Sequence, residues 1–400
     1  MSRPIRVAIL DHTGQLGGAE LALVRLCAAL DPTRIAVVVV LFADGPLVAR
    51  LAAAGVDVRV LALAPRIAAT DRHAAGRSFT RGGLTAAVAT VPFVLRLARL
   101  LRAIDPDVVH STSLKADLLA VPACVVARRP LVWHVHDLIG GSYLPALLAR
   151  VVRTAARYGP RHVVVNSLAT ARSLLPLRRG WTLAYPGLAP DQVIANPELR
   201  TAPEPPVVGL VGRVSPTKGQ SEFVEAAAVV AEHRPDVRFR VVGSALFSEA
   251  GYEQEVRDLA GRLGISDRVE FTGWVADPTA EMDRLSVLVH ASPMPEPFGQ
   301  VVIEAMARGV PVVATRGGGV GEIVEPDGAE ALGVLVAPGD ARDLARGILE
   351  VLADPAGAER RARAAWSDVV ARFPVERTAE IVSEVWEGLR ERGRGLRRRG

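Results

Sequence analysis

Pro295-Glu-Pro-Phe-Gly-Gln-Val-Val-Ile-Glu-Ala-Met-Ala-Arg-Gly-Val-Pro-Val-Val-Ala-Thr-Arg-Gly-Gly-Gly-Val-Gly-Glu322 follows the β-branched run Val287–His290 across a proline-rich bend. The apolar spacing after the bend predicts a helix over 299–308, and Val310–Ala314 reads as the next strand. A strand, a bend, a helix and a second strand make a right-handed crossover in a parallel sheet. Pro297 and Gly299 disfavour an earlier helix start, which puts Glu296 on the loop and Glu304 about one and a half turns in, about 7 Å below the helix mouth. Two carboxylates thus flank a helix N-terminus whose free N–H groups attract an anion such as phosphate. Carboxylate oxygens also accept hydrogen bonds from sugar diols. A merely solvated Glu304 would be out of place in Val301-Val-Ile-Glu-Ala-Met-Ala.

The same alternation extends in both directions. Before residue 190, strands are predicted at Val7–Leu10, Ile35–Phe42, Val56–Leu61, Val108–His110, Leu131–His136 and His162–Asn166. Helical patterns lie between them at 19–30, 45–54, 84–104, 114–127, 142–158 and 167–175. Beyond residue 206, strands are predicted at Val207–Val211, Arg238–Val242, Val269–Thr272, Val287–His290, Val310–Ala314 and Gly333–Val336. Helices are predicted there at 219–233, 249–263, 277–284, 299–308, 320–325 and 340–353. The fold class is therefore α/β: two tandem Rossmann-like, doubly wound domains, expected to face a cleft with ligand at the carboxyl ends of the strands. The first covers 1–190 and the second 207–374. The proline-rich, aperiodic 191–206 reads as a linker, 375–391 as a last helix and 392–400 as a basic tail.

The 400 residues are about right for two domains of ordinary size, and half of them are hydrophobic, which excludes a disordered or fibrous chain. Aromatics make up only 4%, so the cores are built from Ala, Val and Leu. Two cysteines, Cys27 and Cys124, supply no disulfide framework or cysteine metal site, and a reducing cytoplasm is the default expectation. No signal peptide is visible, because the start runs straight into Val7–Leu10. No uncharged apolar run is long enough to span a bilayer. The net charge of +5 conceals +13 in residues 1–190 and −8 in 191–400. Either an arginine-rich composition or a functional basic face accounts for the split. Residues 138–190 contain no acid yet carry Arg150, Arg153, Arg157, Arg161, Arg172, Arg178 and Arg179, and 72–104 hold six arginines and no acid. Arg150, Arg153 and Arg157 recur at helical spacing beside Leu147, Leu148, Val151 and Val152, which suits a helix on an anionic membrane surface. The basic stretches lack interleaved aromatics, so nucleic acid is not an expected partner.

Three further constellations carry candidate chemistry. Val207-Val-Gly-Leu-Val-Gly-Arg213-Val-Ser-Pro-Thr-Lys218-Gly leads a strand into a loop with two cations suited to phosphate oxygens, but it lacks the order of a Walker A loop. Asp11-His-Thr-Gly-Gln-Leu-Gly17-Gly18-Ala-Glu20 is a glycine-rich turn after the first strand without dinucleotide spacing. In Trp133-His-Val-His-Asp, alternation puts His134 and His136 on one side of a strand. No third ligand is suitably spaced, so a polar His136 at the carboxyl end of the strand is the better reading.

Together these pieces resemble the family 4 retaining glycosyltransferases of GT-B fold. Glu296 through Glu304 resemble that family's Glu-x7-Glu motif in a Glu-Pro-Phe-Gly context. Pro311-Val-Val-Ala-Thr, Gly317-Gly and Glu322-Ile-Val continue the pattern, as do Gly212-Arg213, Lys218-Gly219 and Gly17-Gly18-Ala-Glu20. The chain departs from many relatives at Tyr185-Pro-Gly187 and at Ser244. The resemblance implies that the second domain binds a nucleotide sugar, with a UDP- or GDP-sugar expected. Arg213 and Lys218 would neutralise its diphosphate, Glu304 would hold the ribose, and Glu296, Phe298 and Gly299 would hold the sugar. Val275 would meet the base through its backbone, and Gly243 joins the donor-binding residues. From the first domain, Gly17 and Gly18 would approach the diphosphate and His136 the sugar. His136, Glu296, Arg213 and Lys218 are thus the implied catalytic residues. The acceptor would be a glycan, lipid or small molecule on the first domain, with the last helix crossing back to that domain. No cofactor or metal is expected, since the two cations do that electrostatic work. A nucleotide-sugar epimerase of the same fold and a non-catalytic sugar-nucleotide-binding subunit are the alternatives. The expected location is the cytoplasm, with peripheral attachment to the inner face of the membrane.

Overall fold

The computed structural model describes residues 3–64, 90–140, 143–245, 249–328 and 330–397. The chain divides into two compact units, Met1–Gly187 with Val375–Gly400, and Leu188–Pro374.

The first unit is built on seven parallel strands: β1 (Ile5–Asp11), β2 (Ile35–Leu41), β3 (Asp57–Val60), β4 (Val108–Ser111), β5 (Leu131–Val135), β6 (His162–Val165) and β7 (Trp181–Leu183), in the order β3-β2-β1-β4-β5-β6-β7. Val7 pairs with Val37 on one side and Val108 on the other. The two-residue strand period sorts the side chains into two cores. Ile5, Val7, Ile9, Val108, Val132 and Val164 face helix Gly18–Ala29 and the last helix, whose Ala379, Val382 and Trp386 join the same cluster. Ala8, Leu10, Val109, Trp133 and Val163 line the opposite face, against helices that include Leu114–Ala127 and Ala146–Tyr158.

The second unit carries six parallel strands: β8 (Val207–Val211), β9 (Arg238–Val242), β10 (Val269–Gly273), β11 (Val287–His290), β12 (Val312–Thr315) and β13 (Val334–Val336), in the order β10-β9-β8-β11-β12-β13. Helices cover both faces, as in any doubly wound sheet, and the strand order reverses between β8 and β11 as it does between β1 and β4. Loops splay apart at such a reversal, which is where an open α/β sheet holds its ligand.

Four expectations change. Residues 191–206 are not a free linker but belong to the second unit. Ile194 donates its N–H to Ala307 O, its carbonyl accepts from Trp366 Nε1 at 3.1 Å, and Arg200 donates to the Leu285 carbonyl. Prolines stiffen this segment as two short 3-10 turns, Pro190–Gln192 and Pro197–Leu199, rather than freeing it. The unit boundaries fall after Gly187 and after Pro374. An eighteen-residue helix, Pro355–Arg372, occupies a stretch not assigned to any element, with Asp354 Oδ1 accepting from Gly357 N as its cap. The last helix runs Val375–Arg397, so the start of the basic tail is helical. It packs within the first unit, where Arg34 pairs with Glu387 at 2.6 Å and Thr378 Oγ1 donates to Tyr185 O at 2.7 Å. The predicted helix 84–104 is described from residue 90, and Arg72, Arg77 and Arg81 lie outside the described residues. Among the described residues no helix is long and apolar enough to cross a membrane.

Candidate functional site

In the second unit the carboxyl ends of β8 and β11 converge on Glu296. Proline and serine keep 291–299 out of helix, so Glu296 reaches back toward the end of its own strand. Its Oε1 lies 2.5 Å from Lys218 Nζ, its Oε2 contacts His290 Nε2, and Ser292 Oγ donates to the same oxygen at 3.3 Å. Thr315 Oγ1, at the end of β12, meets His290 Nδ1 at 3.2 Å and donates to Ser292 O. The Glu296 side chain is 16% exposed and Lys218 30%. Burial alone pushes the Glu296 carboxyl up, but the charges and hydrogen bonds of Lys218 and His290 overcome it and hold the group well below the usual carboxylate range.

The backbone here admits little else but glycine. Gly299 (φ 102°) precedes helix Gln300–Ala307, and Gly318 (φ 62°) lies where a Cβ would come 1.8 Å from Glu296 O. Glu304, on that helix, accepts from Gln192 Nε2 at 3.1 Å and from Gln300 Nε2 at 3.2 Å. The two carboxylates have different neighbours: Glu296 meets Lys218 and His290, while Glu304 accepts from two glutamine amides. Phe298 is buried against Phe373, with ring centroids 5.6 Å apart. Arg213 does not join Lys218 at Glu296; it pairs with Glu249 at 3.4 Å. Both expected phosphate cations are thus already ion-paired within the protein. Gly243 (φ 130°) lies where a Cβ would come 2.0 Å from Gly212 O, binding the ends of β8 and β9 closely together. Val275 is half-buried on the loop after β10.

In the first unit Gly17 caps helix Gly18–Ala29, and a Cβ there would come 2.4 Å from Glu20 Oε2. His136 follows β5, its ring 4.2 Å from that of His134. Sequence reasoning overlooked two features. Glu20 is raised to about 7 by burial and by the charge of Asp11, with Asp137 adding to the effect. Asp11 is itself buried and accepts from Thr112 Oγ1 at 2.7 Å. His290 went unread because it stood as the last residue of a strand, although carboxyl ends of strands are where polar residues serve a ligand.

Against this geometry, a family model described as Glycosyl transferases group 1 matches residues 194–367, and one described as Glycosyltransferase Family 4 matches residues 46–192. The chain belongs to the family 4 glycosyltransferases. The lipopolysaccharide core biosynthesis mannosyltransferase LpsB of Rhizobium meliloti is 30% identical over 255 residues, 62% of this chain and 66% of that protein. The 2-deoxystreptamine glucosyltransferase of Streptomyces kanamyceticus is 36% identical over 165 residues, 40% of each chain. The chain thus matches about two thirds of the first glycosyltransferase's length and two fifths of the second's. The crystal structure of Anabaena HepE in complex with UDP-glucose superposes with a TM-score of 0.81 at 29% identity, over 96% of this chain and 100% of that one.

Proposed function

We propose that this glycosyltransferase transfers a sugar from a UDP-linked donor to a hydroxyl acceptor with retention of anomeric configuration and without a metal. The observation that carries the reading is the Lys218–Glu296–His290 cluster at the reversal of strand order, in a chain similar along its length to a protein crystallised with UDP-glucose. Breaking the sugar–phosphate bond leaves negative charge on the diphosphate and oxocarbenium character on the sugar. Lys218 and Arg213 neutralise the former, and the N–H groups at the start of helix Gln300–Ala307 add a fixed dipole. Glu296 and the backbone of Phe298 and Gly299 orient the sugar, Glu304 takes the ribose hydroxyls, and Gly243 and the Val275 backbone border the nucleotide. His136, Gly17 and Gly18 serve the donor from the first unit, which also carries the acceptor. Neither glutamate acts as a nucleophile; retention follows from attack on the face the diphosphate leaves.

The acceptor side of this reading sits at an anionic lipid surface on the cytoplasmic face. Helix Ala146–Tyr158 supports it: Leu147 is 53% and Tyr158 54% exposed, with Val151 also exposed and Arg157 and Arg178 over the Tyr158 ring. Arg153 takes no part, since its guanidinium donates to the carbonyls of Ser173 and Ile139.

A thermal-shift panel of UDP-, GDP- and ADP-sugars tests the donor. A ligand at about 100 times its Kd adds about 2.7 kcal/mol of stability. No shift with any of them would sink the reading, as would an inverted anomer in the product, and loss of turnover in EDTA would remove its metal-free part. Co-sedimentation with anionic but not neutral vesicles tests the lipid surface.

A further inference from the structure

The first unit holds a buried chain of hydrogen bonds that the proposed roles do not use. Trp386, on helix Val375–Arg397, places its Nε1 3.1 Å from His110 Nδ1 at the end of β4. His110 Nε2 lies 3.3 Å from His134 Nδ1 on β5. Strand alternation puts both histidines on the face that the last helix covers, because His110 follows Val108 and His134 follows Val132 at two-residue spacing.

The direction of the chain is fixed by chemistry. An indole N–H can only donate, so His110 Nδ1 must accept. A neutral imidazole has one ring proton, so that of His110 sits on Nε2 and is donated to His134 Nδ1. The same step puts the proton of His134 on its own Nε2. Burial pushes both imidazoles down, His110 to about 3, and keeps them neutral at ordinary pH. His134 Nε2 is buried and has no hydrogen-bond partner among the described residues. His134 lines a small cavity together with Leu23, Thr112, His136, Gly187 and Thr378. The Thr112 hydroxyl donates to Asp11 Oδ2 at 2.7 Å, so its proton is committed elsewhere.

We infer that Trp386–His110–His134 is a positioning relay that locks His134 as a one-way donor, its Nε2–H offered to a hydroxyl-class oxygen in the cavity it shares with His136. Any oxygen lone pair can accept from His134, and a hydroxyl is the class that both water and a sugar supply. An ammonium or amide N–H would set donor against donor. The oxygen belongs either to water or to a hydroxyl of the ligand. Only the second of these rests on the glycosyl-transfer reading; the tautomers do not depend on it. His134 is a positioning residue for that oxygen, and Trp386 acts through two imidazoles, tying the last helix to the cavity.

The test is nitrogen-15 NMR of the histidine rings in the full chain. His110 and His134 are expected as neutral Nε2–H tautomers from pH 6 to 8. Trp386→Phe removes the donor at the head of the relay and is expected to give His110 a mixture of tautomers. Because a fully buried indole also supports folding, His134→Gln and His134→Leu provide a second readout. Glutamine offers an amide N–H near the place of Nε2 and leucine none. With UDP-glucose as donor, His134→Leu is expected to raise KM roughly tenfold, and His134→Gln to recover most of the loss. A His134 Nε2–H signal that moves on adding UDP-glucose assigns the oxygen to the ligand; one that stays assigns it to water, and both sustain the relay. An Nδ1–H tautomer at His134 overturns it, as does equal KM for the Leu and Gln variants where the Nε2–H signal moves on adding UDP-glucose. If UDP-glucose is not turned over at all, the donor reading fails and the tautomers alone decide the relay.

Discussion

Lys218 Nζ lies 2.5 Å from Glu296 Oε1, although the two residues are 78 positions apart in the sequence. They meet because β8 and β11 are neighbours in the sheet and each strand's following loop turns to the same edge. The consequence is a cation already paired with a carboxylate, so that on the proposed donor role a diphosphate would have to compete with Glu296 for Lys218. Glu296→Gln keeps the shape and releases the lysine. The expected outcome is a fall in kcat of about 10²-fold or more, with UDP binding unchanged or tighter. Lys218→Ala should lose both. Steady-state kinetics and calorimetric titration with UDP separate the two cases, and full turnover by either variant would contradict the assignment.

The same pair makes a statement about pH and stability. Glu296 is held below its ordinary range by Lys218 and His290 despite its burial. A carboxyl with a depressed folded-state value adds stability that is fully present above the unfolded value of about 4.3 and is lost as pH falls through the lower folded value. The gap in unfolding free energy between wild type and Glu296→Gln should therefore stay constant from pH 8 to about 5 and shrink below about 4. Urea unfolding across that range measures it. A gap that widens in acid would show that some other interaction dominates.

Glu20 behaves in the opposite sense. Burial and Asp11 raise its carboxyl from 4.5 to about 7. The folded state then binds a proton that the unfolded chain has released, so stability falls as pH climbs from about 4.5 to 7. The full cost, about 3 kcal/mol, is reached above that window. Glu20→Gln carries no such charge. It should match wild type below pH 4 and exceed it in stability at pH 8, by urea unfolding at both pH values.

Much of this fold was legible in the sequence because its strands are short β-branched runs with one hydrophobic period. The boundaries of β8, β9 and β11 follow directly from Val207–Val211, Arg238–Val242 and Val287–His290. Helix Pro355–Arg372 was missed because its alanine- and arginine-rich pattern shows little apolar contrast, yet Asp354-Pro355 is a helix-start signal that could have revealed it. Residues 191–206 misled for a related reason: proline marks the absence of regular structure, not the absence of packing. At the site, the spacing of Glu296 and Glu304 on loop and helix was readable. That Glu296 faces Lys218 while Arg213 turns to Glu249 was not, because side-chain pairing across two loops depends on sheet order, which no local pattern encodes.

Gly318 tests whether the loop around Glu296 has to be held where it is. The two residues form an isolated parallel bridge, and Gly319 N donates to Glu296 O at 2.9 Å. At φ 62° an alanine is strained by about 1 kcal/mol, and its Cβ would come 1.8 Å from Glu296 O, so the carbonyl and its loop must move. Gly328, at φ 76°, has nothing within 4 Å of such a Cβ and isolates the strain term. Gly318→Ala should therefore lose most of its turnover and more stability than the control. Gly328→Ala should lose about 1 kcal/mol and keep wild-type kcat. Thermal unfolding and kinetics on the two variants measure this directly. Equal behaviour of the pair would mean that the Glu296 loop tolerates displacement, and that the Lys218 contact is not set by the backbone beneath it.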